Sequence, residues 1–250
     1  MDFLDKEHID PFDTSDPDFW MKIEHLARYQ YAEFKLRRGG LSKGRVLDIG
    51  CGTGYGMQVL EKAGFTCQGV DYDPEAVNAA RQNDLDVLEA DMDTSALSDH
   101  LKPANFNAVC AFEVIEHVNR PQEVINDIFS LLKPGGWFFA SVPNPKFERV
   151  KDGEPANPYH HHAFEQDEFE AILEKAGFNV VETLGQSLTN RLFNRERNLH
   201  KGGVIPQLEF SQPHFQTPQA ITHMAHILAW PFHEQIEKSY SFIFVCQKPQ

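Results

Sequence analysis

The sequence predicts an α/β fold with a doubly wound, mainly parallel sheet of seven strands. Short apolar runs alternate with helical stretches along the chain, and this alternation is typical of a parallel sheet that helices cover on both faces. The first run ends in a glycine-rich turn, a feature that lets backbone approach a ligand closely. The predicted strands lie near 45–49, 66–71, 86–89, 106–111, 136–142, 179–184 and 239–247.

The length of the chain indicates one domain. With 250 residues it can bury one substantial core, and α/β domains of this size commonly remain undivided, so we expect a single domain over 1–250. Its predicted parts are a helical arm at 1–40, a ligand-binding core at 41–184, an insertion at 185–238 and a last strand at 239–250.

The first strand and its turn read RVLDIGCGTGYG, from Arg45 to Gly56. The β-branched and apolar residues at its start suit a buried strand. Gly50, Gly52 and Gly54 permit a sharp turn and leave no Cβ between the backbone and a ligand. We therefore expect a strand, a ligand-binding turn and then a helix.

Glycine spacing argues against two common ligands. A dinucleotide fingerprint has glycine at its first, third and sixth positions, but the sixth residue is Tyr55 when counted from Gly50 and Met57 when counted from Gly52. The sequence also has no GxxxxGK[ST] pattern, so a triphosphate-binding loop would lack its lysine.

The second strand supplies an acid at its carboxyl end. Asp71 ends the run TCQGVD and follows Asp48 by 23 positions, close to the roughly 20-residue interval at which ribose-binding acids follow a glycine turn. Asp73 and Pro74 then suit the N-cap and the first position of a helix. A turn paired with a correctly spaced acid predicts a nucleoside ligand.

The pattern Asp48-x-Gly-x-Gly-x-Gly resembles the first motif of class I S-adenosylmethionine (SAM) methyltransferases, which share a Rossmann-like fold. The resemblance implies SAM as cofactor and S-adenosylhomocysteine as product, with the glycines against the methionine and ribose. It also implies an antiparallel pair at the sheet edge formed by the last two strands. The implied cofactor residues of this part are Asp48, Gly50, Cys51, Gly52, Gly54, Asp71 and Tyr72.

Two later segments extend the resemblance. Asp91 and Met92 follow the third strand, where family members contact the adenine, although a solvated loop is the alternative. The run FEVIEHV, which begins at Phe112, and the run LLKPGGWFFASVPNP resemble the subgroup that contains ubiquinone-biosynthesis O-methyltransferases and many sugar, lipid and small-molecule enzymes. Phe112 is a further implied cofactor residue, and the resemblance covers roughly 28–183 and the last strand.

The arm carries an aromatic, amphipathic stretch before the first strand. In relatives such a helix folds over the cofactor, which implies that Arg28 and Tyr29 contact the methionine carboxylate and cover the sulfonium. The alternative is an ordinary packing helix.

His117 is the predicted general base. It follows the fourth strand, and an imidazole can accept the proton of an acceptor hydroxyl at neutral pH. Glu116 is expected to orient it, and His160 and His161 in the run NPYHHHAF are the reserve candidates. A structural role for His117 in the loop is the alternative.

A metal-assisted mechanism uses some of the same residues. Glu113, Glu116 and His117, joined by a histidine from 160–162, offer carboxylate and imidazole ligands to one divalent ion. A similar pattern occurs in metal-dependent RNA 2′-O-methyltransferases.

Charge argues against a nucleic-acid partner. The chain has 37 acidic and 23 basic residues and a net charge of −14, which repels polyanions. A basic patch of Arg191, Arg195, Arg197 and Lys201 suggests an anionic acceptor, and a solvated helix face is the alternative.

Apolar runs, the N-terminus and the cysteines indicate where in the cell the protein is expected. No apolar run reaches the roughly 18 residues that a membrane span requires, and the acidic N-terminus does not look like a signal peptide. Four cysteines without CxxC spacing are expected to be free, buried thiols. We therefore expect a soluble, cytoplasmic protein.

The acceptor site is expected beyond the carboxyl ends of the strands. The loop within 144–164 should face the transferred methyl group, and the 185–238 insertion should form a substrate lid with its own helix at 218–230. The predicted function is O-methylation of a small molecule or a sugar-, lipid- or nucleotide-linked metabolite. The alternatives are N- or C-methylation, a non-catalytic SAM-binding regulatory protein and, more distantly, an NAD-linked oxidoreductase.

Overall fold

The computed structural model describes residues 10–12, 19–147, 150–151, 154–155, 157, 159–187 and 213–250. The basic patch at 191–201 and residues 188–212 of the predicted lid lie outside these residues.

Helices and strands alternate as the sequence predicts. The helices are α1 (Phe19–Arg38), α2 (Tyr55–Lys62), α3 (Pro74–Gln82), α4 (Leu97–His100), α5 (Pro121–Leu131), α6 (Gln166–Lys175) and α7 (Pro218–Leu228), with short 3₁₀ turns at Ile115–His117 and Ile236–Lys238. The strands are β1 (Arg45–Ile49), β2 (Thr66–Asp71), β3 (Val87–Glu89), β4 (Phe106–Phe112), β5 (Leu132–Pro143), β6 (Val150–Lys151), β7 (Glu154–Pro155), β8 (Asn179–Gln186) and β9 (Ser241–Gln247).

Seven strands form one sheet in the order β3-β2-β1-β4-β5-β9-β8. The first five lie parallel to one another, whereas β9 is antiparallel to both β5 and β8. The predicted fold class and its antiparallel edge are therefore confirmed. The chain reverses its winding direction between β1 and β4, and in open α/β sheets such a switch point is where ligands bind.

Hydrophobic cores cover both faces of the sheet. Alternate residues of one strand belong to different cores: Val46 packs with α1, α2, α3 and α7, whereas Leu47 packs with α4, α5 and α6. The sheet is thus buried on both sides, which explains why its strands read as continuous apolar runs.

Local signals set several helix ends. The Asp73 carboxylate accepts a hydrogen bond from the Glu75 amide at 2.9 Å, so Asp73 caps α3 as predicted. Gly64 and Gly177 follow α2 and α6 with φ of 100° and 102°, a left-handed conformation that glycine commonly supplies after a helix.

The four cysteines are free and buried, as predicted. None of the helices in the described ranges combines the length and the apolar composition that a bilayer crossing requires.

Candidate active site

A cavity of about 300 Å³ opens at the carboxyl ends of β1, β2 and β4, next to the switch point of the sheet. This volume lies at the lower end of the range for small-molecule sites. Its walls are formed by Gly50, Val70, Asp71, Tyr72, Ala90, Asp91, Met92, Asp93, Glu113, Val114, His117, Val118, Tyr159 and His161.

The glycine turn passes beside this cavity in a left-handed backbone conformation. Gly50, Gly52 and Gly54 have φ of 66°, 53° and 83°, a region that side chains with a Cβ adopt only with strain. A Cβ at Gly50 would collide with the Val114 side chain, whereas one at Gly52 would meet nothing within 4 Å. The turn thus requires glycine and leaves its backbone open to a neighbouring group.

Asp71 ties the turn to the end of β2. One carboxylate oxygen accepts a hydrogen bond from the Gly52 amide at 2.7 Å, and the other accepts one from the Asp73 amide at 3.0 Å. The residue is buried but lines the cavity. A carboxylate has about four acceptor positions, so both oxygens can still accept bonds from a pair of hydroxyl groups.

Three further predicted cofactor residues line the same cavity: Tyr72, Asp91 and Met92. Asp91 is exposed and accepts a hydrogen bond from the Asp93 amide at 2.8 Å, which shapes the loop after β3. Met92 is half-buried and offers an apolar surface.

A buried layer lies beside the turn, away from the cavity wall. The Tyr29 hydroxyl donates a hydrogen bond to Asp48 Oδ1 at 3.0 Å, and the Tyr29 ring packs edge-to-face against Phe112 and Tyr55. Cys51 belongs to the same core and is buried. The arm helix α1 therefore reaches the turn through Tyr29, although the predicted cofactor contacts of this layer stay predictions.

Burial raises the pKa of the Asp48 carboxyl to about 8. The bond from Tyr29 opposes this shift because it favours the ionised form, and the negative Asp71 adds to it. Burial raises the pKa of the Tyr29 hydroxyl as well, with further contributions from Asp48 and Tyr55.

Gly56→Ala tests the position of the Tyr29 ring. Alanine normally stabilises a helix interior by roughly 0.5–1 kcal/mol relative to glycine, but here the new Cβ would collide with the Tyr29 ring, which Asp48 and two aromatic neighbours hold in place. We expect the collision to dominate and to lower the free energy of unfolding by about 1–3 kcal/mol in urea denaturation. Gln58→Ala on the same helix is the control, and a stabilised Gly56→Ala variant would contradict this placement of Tyr29.

Arg28, which is buried, forms an ion pair with the half-buried Glu113 at the cavity wall. Arg28 is 3% exposed, and its Nη2 lies 3.5 Å from Glu113 Oε1. Its Nε donates to Gln186 at 2.8 Å and its Nη2 to Ser241 at 3.2 Å. Among the described residues, Nη1 has no hydrogen-bond partner.

Glu113 connects this pair to the cavity wall. Its backbone has φ of 54°, which is strained for a residue other than glycine. Its carboxylate accepts a hydrogen bond from the Ser141 hydroxyl at 2.7 Å, and its amide donates to the Ser141 carbonyl at 3.1 Å. These contacts with β5 aim the carboxylate toward Arg28 at the cavity wall.

His117 ends the 3₁₀ turn after β4, and its ring lines the cavity. Its Nδ1 lies 3.1 Å from the carbonyl oxygen of Tyr159. A carbonyl can only accept, so Nδ1 carries the proton and Nε2 of the neutral ring carries the lone pair. Nε2 lies 4.0 Å from Glu116 Oε1.

The histidine-rich loop folds against this 3₁₀ turn. The backbone carbonyl of Glu116 accepts hydrogen bonds from the His161 and His162 amides at 2.8 and 3.1 Å. The His160 ring packs edge-to-face against His117 with a centroid distance of 4.7 Å, and His161 lines the cavity. The four residues predicted for catalysis are thus brought together, although their roles stay untested.

Three of the four predicted metal ligands could reach one ion. Ligand atoms of Glu116, His117 and His160 all lie within 4.8 Å of one another. Glu113 does not belong to this group, because Ser141 and Arg28 engage its carboxylate.

The sequence analysis missed several residues of the site. Tyr159, whose carbonyl fixes the tautomer of His117, lies in the run NPYHHHAF of the predicted loop but was not assigned a role in the site. Ser141 and Ser241 are polar residues inside buried apolar strands, and this mismatch could have identified them. Gln186 had no comparable signal.

Comparisons with known proteins agree with this geometry. Residues 23–183 match a family described as "Methyltransferase domain". The chain is 34% identical over 132 residues to a ubiquinone biosynthesis O-methyltransferase of Xylella fastidiosa, covering 52% of this chain and 54% of that protein. It is 28% identical over 191 residues to a protein of the same name from Hydrogenovibrio crunogenus, covering 71% and 75%.

The chain spans about half the length of the first curated relatives that it matches. Among solved structures, a SAM-dependent methyltransferase from Archaeoglobus fulgidus superposes with a TM-score of 0.56 at 18% identity, covering 92% of this chain and 100% of that one. This likeness supports the fold.

Proposed function

Because the chain belongs to the SAM-dependent methyltransferases, we propose that it methylates a hydroxyl oxygen with SAM as the methyl donor. The proposed acceptor is a small molecule or a sugar-, lipid- or nucleotide-linked metabolite. Relatives named for ubiquinone O-methylation support an oxygen acceptor.

The observation that carries this proposal is the joint placement of a glycine turn and a carboxylate at one cavity. The left-handed turn at 50–54 and Asp71 meet at the switch point, and a 2.7 Å hydrogen bond joins them. Asp71 is the proposed partner of the ribose hydroxyls, while Asp91 and Met92 are the proposed adenine contacts. The buried Nη1 of Arg28 is a donor that suits the methionine carboxylate.

When bound, SAM supplies a methyl group on a positively charged sulfur, which is already activated for transfer. The protein must then align an acceptor oxygen with that methyl and accept the acceptor's proton. We assign proton removal to Nε2 of His117, because the Tyr159 carbonyl directs the ring's own proton to Nδ1. Glu116 is a positioning residue, since its carbonyl holds the histidine loop and its carboxylate lies near Nε2.

His160 and His161 remain the reserve bases. His161 lines the cavity and His160 contacts the His117 ring, so either could receive a proton if an acceptor binds in a different orientation.

The segment 185–238 is the proposed acceptor lid, and 1–40 is the proposed arm over the cofactor. Gln186 supports this arrangement because its side-chain amide donates to the Glu24 carbonyl of α1 at 2.9 Å and to the Ala229 carbonyl at 2.8 Å. The end of β8, the arm and the segment after α7 therefore meet beside Arg28. The four free, buried thiols support a reducing, cytoplasmic setting.

A metal-assisted reaction is the second candidate. It is favoured by one observation, the convergence of Glu116, His117 and His160. A divalent ion held there would lower the pKa of a bound acceptor hydroxyl, which would replace the base function of His117.

Chelation separates the two mechanisms. We expect turnover to be unchanged after the protein is treated with EDTA and dialysed, because Nε2 of His117 can accept the proton without an ion. Loss of turnover that added Mg²⁺ or Zn²⁺ restores would contradict the base mechanism and favour the metal-assisted one.

Transfer from methyl-labelled SAM tests the proposed function. A panel of phenols, catechols, amines and carbon acids should give labelled product with hydroxyl acceptors. Label on nitrogen or carbon would change the assigned acceptor atom. Tight SAM binding without transfer to any class would favour the non-catalytic alternative.

A further inference from the structure

Asp48 is a buried carboxyl group with an incomplete set of partners. Its side chain is 0% exposed, and its one hydrogen bond runs from the Tyr29 hydroxyl to Oδ1. In the described part of the chain, Oδ2 accepts no hydrogen bond. Asp48 lies in β1, two residues before Gly50, and its position is defined by pairing with Gly69 in β2 and Cys110 in β4.

The groups that face Asp48 do not supply a positive charge. Arg28 lies next to Tyr29 in α1, but its guanidinium is engaged by Glu113, Gln186 and Ser241. The titratable groups that interact with Asp48 from the surrounding elements are all acids, namely Tyr29 of α1, Cys51 of the turn, Tyr55 of α2, Cys67 and Asp71 of β2, and Cys110 of β4.

An ionised carboxylate in such a place is costly, because burial removes water and no fixed cation replaces it. The neutral acid avoids this cost, and burial accordingly raises the pKa of Asp48 to about 8. SAM brings an ammonium and a sulfonium to a site whose glycine turn adjoins Asp48. A positive charge at this site would stabilise the ionised carboxylate and lower the pKa of Asp48.

We propose that Asp48 holds a proton in the ligand-free protein and releases it to solvent when SAM binds, so that the carboxylate forms only as the counter-ion of the cofactor. This inference rests on the proposed function and deepens it. The step breaks one O–H bond of the acid and transfers the proton to the buffer.

Proton release from Asp48 would also distinguish the cofactor from the product. S-adenosylhomocysteine has lost the sulfonium charge and offers Asp48 a weaker electrostatic partner. We therefore expect product binding to release fewer protons than SAM binding. The affinity ratio of SAM to S-adenosylhomocysteine should rise between about pH 6 and pH 8, where Asp48 gains its charge most readily.

The sign of the pH dependence follows from linkage. The free protein binds the proton up to its raised pKa of about 8, and the complex binds it less tightly. SAM affinity should thus rise by up to roughly tenfold per pH unit below pH 8 and lose this dependence above it. The α-amino group of SAM also titrates, with an ordinary pKa of about 7.7–8.0, but it contributes equally in wild type and variant.

Isothermal titration calorimetry of SAM in buffers of different ionisation enthalpy counts the protons directly. At pH 7 we expect the wild type to release about 0.9 proton more than Asp48→Asn, because a group with a pKa of about 8 is roughly 90% protonated there. Asparagine keeps the size of the side chain and the acceptor for Tyr29 but cannot titrate. Asp99→Asn on the exposed α4 is the matched control and should behave as wild type.

Tyr29→Phe provides a second test through the hydrogen bond. Without the hydroxyl donor the ionised form loses its one stabilising bond, so the midpoint of proton release should shift to higher pH. If a variant does not fold, proton release measured for the wild type across a pH series still tests the inference. The number of protons that Asp48 releases on SAM binding should fall close to zero by about pH 9.5.

The outcomes are distinct. Equal proton counts in wild type and Asp48→Asn, or wild-type release that persists above pH 9.5, would overturn the inference while leaving SAM binding intact. Absence of any SAM binding by the wild type would overturn the proposed function and the inference with it.

Discussion

We expect His117→Gln to lower the turnover number by about 10²- to 10⁴-fold, the usual contribution of a general base, and to leave SAM affinity unchanged. The expected loss of turnover follows from the tautomer of the His117 ring. The Tyr159 carbonyl holds the proton on Nδ1, so Nε2 has the lone pair that we propose receives the acceptor's proton. Glutamine can keep a hydrogen bond to that carbonyl, but its amide has no basic nitrogen.

The controls for His117→Gln separate chemistry from folding. His100→Gln replaces an exposed histidine of α4 and should leave turnover unchanged. Single-turnover rates with saturating SAM isolate the chemical step, and the urea midpoint reports on folding. Full activity of a folded His117→Gln protein would transfer the base role to His160 or His161.

We expect Asp71→Asn to weaken SAM binding by about 10²- to 10⁴-fold. The carboxylate can accept two ribose hydroxyls, and hydrogen bonds to charged groups contribute about 1.5–3 kcal/mol each. The amide keeps one acceptor oxygen but presents its NH₂ group either to the Gly52 amide or to the Asp73 amide, so the turn is also weakened.

Asp73→Asn is the matched control for this position. It lies two residues away and caps α3, a role that asparagine performs nearly as well as aspartate. SAM dissociation constants measured for both variants, together with their unfolding midpoints, distinguish lost ribose contacts from a loosened turn. Wild-type affinity in Asp71→Asn would show that the ribose is held elsewhere.

The sequence predicted the strands well where its signals are local. β1 and β2 begin and end at the predicted residues because apolar runs, the glycine turn and the acid at 71 define their ends. β5 is longer than predicted, extending over Leu132–Pro143 rather than 136–142. Its pairing with β4 jumps from Phe106↔Leu132 to Ala108↔Trp137, so the Pro-Gly-Gly segment at 134–136 is irregular within the strand.

The positions of Gly50 and Asp71 were predictable for a similar reason. Gly50 and Asp71 act through backbone conformation and position at strand ends, and both are encoded within a few residues of sequence. The Arg28–Glu113 pair was not predictable in this way, since its neighbours Ser141, Gln186 and Ser241 come from distant strands.

The central claim is that the cavity beside the glycine turn binds SAM through Asp71. A crystal structure of the protein grown with saturating SAM tests it most directly. We predict density for the adenosyl group in this cavity, with both ribose hydroxyls within hydrogen-bond distance of Asp71 and the methyl group directed toward His117. A cavity that stays empty, or a cofactor bound elsewhere while Asp71 contacts only Gly52 and Asp73, would contradict the account.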